Sequence, residues 1–113
     1  MRGLADPRIA VALRGLHAAI DRDWTIPQLA DAAGMSRSAF FDRFSRTVGL
    51  RPMEYLLTWR MAVAKSLLRA GKLSLDDVAG QIGFGSASTF STAFSRHVGM
   101  PPGRFMRAAE AGA

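Results

Sequence analysis

Apolar residues recur along this chain at helical intervals, and glycines and prolines cut the pattern into helix-length pieces. Phe40, Phe44 and Val48 stand four residues apart, as do Phe90, Phe94 and Val98. Each set therefore lines one face of a helix and leaves the opposite face free. Gly49 and Gly99 stop these two helices. A shorter helix precedes each. Thr25 with Gln28 forms a capping box at the start of one, and Ser74 with Asp77 takes the same arrangement at the start of the other. Gly34 and Gly83 fall where a left-handed C-terminal cap is wanted, and Ser36 and Ser86 are placed to cap the helices that follow. Asp6 caps and Pro7 opens a first helix with Ile9, Leu13, Leu16 and Ile20 as its apolar stripe. Pro52 to Ala70 predicts one continuous helix stopped at Gly71, with Tyr55, Leu56, Trp59, Val63 and Leu67 turned inward. Pro102 opens a last short helix holding Phe105. The expected fold is all-α, with about seven helices.

The pattern is duplicated. At an offset of 49, Thr25, Ile26, Leu29, Ala30 and Gly34 face Ser74, Leu75, Val78, Ala79 and Gly83. The offset then becomes 50, and Ser36, Ser38, Phe40, Phe44, Ser45, Arg46, Val48, Gly49 and Pro52 return as Ser86, Ser88, Phe90, Phe94, Ser95, Arg96, Val98, Gly99 and Pro102, with Gly85 as the extra residue. Two copies are too few for a solenoid. Each copy reads as helix, tight turn, helix, so the sequence predicts two helix-turn-helix subdomains, over 7–50 and 74–109, joined by a connector helix over 52–70. A helix of that length spans about 28 Å, close to the roughly 34 Å between successive major grooves on one face of B-DNA.

Composition narrows the function. The 113 residues, 49% apolar and 21% charged, suit one compact domain. A mean hydropathy of +0.08 is too apolar for a disordered basic tail. The absence of cysteine removes disulfides and thiol chemistry and points to the cytoplasm. No stretch is long enough to span a membrane, and Asp6 and Pro7 interrupt the place of a signal peptide's apolar run. The net charge of +6 favours an anionic partner without naming one. It divides unevenly: residues 1–50 carry seven basic and five acidic side chains, residues 51–113 eight and four.

The residues at this point resemble a known family. The segments W-T-I-P-Q-L-A-D-A-A-G-M-S-R-S-A-F-F-D-R-F from Trp24, S-L-D-D-V-A-G-Q-I-G-F from Ser74, and the later Phe90, Phe94, Gly99 and Pro102 are similar to the DNA-binding domain of AraC/XylS-type transcription regulators over about residues 7 to 107. The resemblance implies a single DNA-binding domain over 1–113, two recognition helices placed in successive major grooves of double-stranded DNA, and regulation, usually activation, of transcription in bacteria. RNA polymerase is then a further partner, and the place of work is the cytoplasm, at the nucleoid. The opening D-P-R-I and the connector's Y-L-L-T-W-R-M look most like members with an N-terminal cupin-type effector domain, which is expected outside these residues.

On the first recognition helix Arg37, Ser38, Phe41, Asp42 and Ser45 fall opposite the Phe40/Phe44 face. Arg37 suits guanine O6 and N7, or a phosphate. Ser38 aligns with a position the family uses for base contact. Phe41 and Asp42 depart from the family's polar or basic readers: Phe41 either meets a thymine methyl or packs on a neighbouring helix, and Asp42 either accepts from cytosine N4 or pairs with Arg46 one turn on. The second recognition helix, Ser86 to Ser95, has no charged residue, so its reading face is Ser88, Thr89, Ser91 and Thr92, with Thr92 where many relatives carry a basic side chain. Phosphate contacts are assigned to Arg46, Arg60, Arg96 and Arg104, with Ser36 and Ser86 at the amide-rich starts of the two recognition helices. Arg60 is also suited to an internal ion pair.

Other chemistry finds little support. Trp24, Tyr55 and Trp59 have the spacing of packed residues rather than of a stacking platform. His17 and His97 are isolated, so no metal site and no cofactor is expected. There is no phosphate loop or nucleophile elbow, and Asp21/Asp23 and Asp76/Asp77 sit at helix starts, where the helix dipole accounts for them. An enzyme is not expected. The alternative to a DNA reader is a helical protein–protein interaction module with a basic surface.

Overall fold

The computed structural model describes residues 6–111, so the two ends of the expected 1–113 domain lie outside the described residues. Among the described residues there are seven helices and no strand: α1 (Pro7–Ala18), α2 (Ile26–Ala33), α3 (Arg37–Val48), α4 (Pro52–Ala70), α5 (Leu75–Gln81), α6 (Ala87–Val98) and α7 (Pro102–Ala111). None is long and apolar enough to cross a membrane.

Local capping chemistry sets most boundaries. The Asp6 carboxylate accepts from the backbone N–H groups of Arg8 and Ile9 and starts α1. At α2 the capping box is complete: Gln28 N–H donates to Thr25 Oγ1 (3.3 Å) and Thr25 N–H donates to Gln28 Oε1 (3.1 Å). At α5 the bond runs one way only, from Asp77 N–H to Ser74 Oγ (3.1 Å), while Asp76 and Asp77 occupy the positive end of the helix dipole. Gly34 ends α2 with φ at 68°, a left-handed conformation that costs a residue bearing a Cβ about 1 kcal/mol or more. Ile20, expected in the α1 stripe, lies beyond the end of that helix and is half-buried.

The chain divides between Leu57 and Thr58 into two compact units, and α4 contributes to both. In the first unit α1, α2 and α3 close around Ile9, Leu13, Leu16, Leu29, Phe40, Phe44 and Leu56. In the second, α5, α6 and α7 pack with the later part of α4 around Met61, Ala64, Leu68, Val78, Ile82, Phe90 and Phe94. The aromatic geometry repeats. Phe44 meets Tyr55 edge-on at 5.8 Å between centroids, and Phe94 meets Phe105 edge-on at 5.5 Å, the favourable sense for ring quadrupoles. Full burial of each phenylalanine contributes about 1.5–3 kcal/mol.

The connector packs by a wider stripe than the expected one. Leu56 is sealed in the first core with Tyr55 half-buried against it, and Val63 and Leu67 pack half-buried on the second, as expected, but Met61, Ala64 and Leu68 are sealed there as well. The physical reason is that α4 has apolar side chains around most of its circumference and serves a different core at each end, so no single stripe runs its length.

Candidate nucleic-acid interface

Helix α3 starts at Ser36, whose Oγ accepts from Ala39 N–H at 3.3 Å. Its first turns leave Arg37, Ser38, Phe41 and Asp42 exposed while Phe40 and Phe44 are sealed against the core. Ser36 and Arg37 also stand on the rim of an open cleft lined by Pro27, Ala30, Asp31 and Met35. Phe41 keeps 40% of its surface open beside the wholly buried Phe40. A large apolar group held at a polar surface is suited to a thymine methyl.

Of the two roles open to Asp42, the ion pair is the one formed: its carboxylate lies 2.7 Å from the Arg46 guanidinium, both side chains being largely exposed. Ser45, expected on the outward face, points inward instead, and its Oγ is buried without a hydrogen-bond partner. Arg43, which the sequence did not single out, is held by Asp6 at 3.3 Å. No local pattern signals a pair separated by 37 residues.

Helix α6 repeats the capping arrangement but uses its hydroxyls internally. Ser86 Oγ accepts from Thr89 N–H (3.1 Å) and donates its own proton to Thr89 Oγ1 (3.0 Å). Thr92 donates to the Ser88 carbonyl at 3.1 Å. Ser88, Thr89 and Thr92 are exposed, but Ser91 is half-buried, because it sits toward the flank of the core face that Phe90 and Phe94 define. Over their first turns the two outward faces thus differ in kind: α3 presents charge and an aromatic ring, α6 neutral hydroxyls.

The arginines assigned to phosphate also differ. Arg96 is exposed in the last turn of α6 with no ion-pair partner among the described residues, and Arg104 is exposed near the start of α7. Arg60 is half-buried, with its guanidinium 5.9 Å from the centroid of Phe84. Arg46 is engaged by Asp42.

His17 is bonded to the Tyr55 hydroxyl at 2.6 Å, and burial holds its imidazole below the ordinary histidine value. Trp24 packs against the first core and donates its indole N–H to the Ala19 carbonyl at 2.8 Å. Among the described residues no three His, Cys, Asp or Glu side chains are grouped to hold a metal ion.

Two capped helices in duplicate, each with a sealed phenylalanine face and an outward polar face, define a tandem helix-turn-helix protein. Comparison with known proteins agrees. Residues 29–108 match the family described as "Helix-turn-helix domain". The chain is 47% identical over 107 residues to an AraC-like transcription regulator of Streptomyces lividans, covering 95% of this chain and 35% of that protein. It is 34% identical over 102 residues to the HTH-type transcriptional regulator AlkR of Acinetobacter baylyi, covering 90% and 33%. Among solved structures, the DNA-binding domain of AdpA in complex with a target DNA superposes with a TM-score of 0.84 at 33% identity, covering 94% of this chain and 95% of that one. The chain belongs to the AraC-type helix-turn-helix family. It spans about a third of the length of the curated relatives it matches, which are transcription regulators rather than enzymes.

Proposed function

We propose that this chain is the DNA-reading part of a bacterial transcription regulator, with α3 and α6 as the helices that enter the major groove of double-stranded DNA. The observation that carries this reading is the outward face of α3. Arg37, Ser38, Phe41 and Asp42 lie exposed on a capped helix whose opposite face is locked into a core, the form in which a helix delivers side chains to base edges. The likeness to the AdpA domain solved on its target DNA supports it. Arg37, Ser38, Phe41 and Asp42 read bases in the first unit, and Ser88, Thr89, Ser91 and Thr92 face the groove in the second. Arg60, Arg96 and Arg104, the amide-rich starts at Ser36 and Ser86, and Arg46 once it leaves Asp42, take phosphates.

The finer reading is of an activator that works at the nucleoid, contacts RNA polymerase, and has an N-terminal cupin-type effector domain. Electrophoretic shift against random genomic fragments at moderate salt tests the core of the proposal. A salt-sensitive shift with enrichment of particular fragments is expected, with log K falling against log salt at a slope near −5 for about six neutralised phosphates. Absence of any shift, together with capture of a protein partner, instead supports a helical interaction module.

A further inference from the structure

The first unit contains a tie that has no counterpart among the described residues of the second. The Asp6 carboxylate uses both oxygens: Oδ1 accepts from the N–H groups of Arg8 (3.1 Å) and Ile9 (3.4 Å), and Oδ2 lies 3.3 Å from Arg43 Nη1 on α3. Asp6 keeps only 18% of its side chain open, against 48% for Arg43. An ordinary surface ion pair is weak because two mobile side chains must be ordered to form it. Here the capping bonds already orient one partner. At the position aligned with Arg43 the second unit has Ala93, so α6 carries no cation there.

We infer that Asp6 and Arg43 form a brace that fixes how α3 sits on α1, which makes them positioning residues for base reading by the first unit. The inference rests on the DNA reading of α3 proposed above. Phe40 and Phe44 hold α3 by apolar contact, which is non-directional and tolerates small rotations of the helix. The pair with Asp6 is directional and lies off the Phe40/Phe44 face, so it opposes those rotations. Base readout needs that constraint, since hydrogen bonds to base edges weaken steeply outside a narrow range of distance and angle. Arg43, neutralised by Asp6, is then absent from the set that attracts phosphates.

The test uses D6N, R43M and the double variant in the whole chain. Asparagine still caps a helix and methionine keeps the apolar stem, so both units remain folded. Unfolding curves of the four proteins measure the coupling of the pair without DNA. Selection from a randomised duplex then measures base preference, with S38A marking the positions read by α3 and S88A those read by α6. The expected result is a loss of about threefold to tenfold in base preference at the α3 positions in all three variants, non-additive in the double. The α6 positions and the salt slope stay unchanged, and R43K recovers part of the loss. Tighter binding of D6N to every sequence, or a uniform loss in R43M with a salt slope flatter by about one, overturns the inference by making Arg43 a phosphate contact. Zero coupling in the unfolding cycle overturns the brace alone, whereas a parent chain that selects no sequence overturns the DNA reading and, with it, the brace's role in reading.

Discussion

The imidazole Nε2 of His17 lies 2.6 Å from the hydroxyl of Tyr55, joining the last turn of α1 to the first turns of α4. Burial lowers the imidazole's affinity for a proton and raises the proton affinity of the phenol. The unfolded chain therefore binds a proton at His17 more readily than the folded one. Stability from this site is complete above the ordinary histidine value of about 6.5 and is lost as pH falls below it. At Tyr55 the sign is reversed, and stability is lost as pH rises above about 10. The melting temperature of the parent chain is expected to fall between about pH 7 and 5 more steeply than that of H17Q. Equal slopes in the two proteins would remove His17 as the cause.

Phe40 and Phe41 are neighbours in sequence with opposite duties. Phe40 is wholly sealed and Phe41 is 40% open. F40A is expected to cost about 3–5 kcal/mol, enough to unfold much of the first unit. F41A should change stability by less than about 1 kcal/mol yet reduce preference at a thymine in the selected site. Chemical denaturation and binding selection on the two variants check both halves of that contrast.

The repeated arginines are expected to behave unequally. Arg96 has no ion-pair partner among the described residues, while Arg46 sits 2.7 Å from Asp42. R96M should flatten the salt slope of DNA binding by about 0.9, the share of one phosphate. D42N, by freeing Arg46, should steepen the slope by up to the same amount and, by removing the carboxylate that accepts from cytosine N4, lower preference at that base. Titrations at several salt concentrations read both slopes directly, and binding selection reads the base preference.

A third asymmetry concerns the hydroxyls of α6. Thr92 already donates to the Ser88 carbonyl and Ser86 to Thr89, so their protons are committed and only acceptor lone pairs remain for bases. T92A is expected to change affinity by less than about twofold. More generally, the half-site read by α6 should carry less sequence information than that read by α3. Selection across a fully randomised site would refute this if the two halves proved equally constrained.

These contrasts mark where sequence reasoning reached and where it stopped. Helix limits were legible because caps are local chemistry: Thr25 with Gln28, Ser36, Ser86 and the glycines at 34, 49 and 99 announce themselves within a few residues. The Phe40/Phe44 and Phe90/Phe94 faces were legible because apolar periodicity is strong there. The connector was legible only in part: Tyr55, Leu56, Val63 and Leu67 pack on the cores as read, but Met61, Ala64 and Leu68 were missed, since α4 is apolar on several faces and only the two cores choose between them. Ser45 was read as outward because it falls off the Phe40/Phe44/Val48 repeat, yet its hydroxyl is buried, since the packed face of α3 is wider than that repeat. The Asp6–Arg43 pair was invisible because nothing local links residues so far apart.

One helix that serves two cores divides the effects of change. Replacement of Leu56 is felt by the first core, and of Met61, Ala64 or Leu68 by the second, because each core is closed within its own unit. Substitutions toward the two ends of α4 are therefore expected to act independently, their costs simply adding in unfolding measurements.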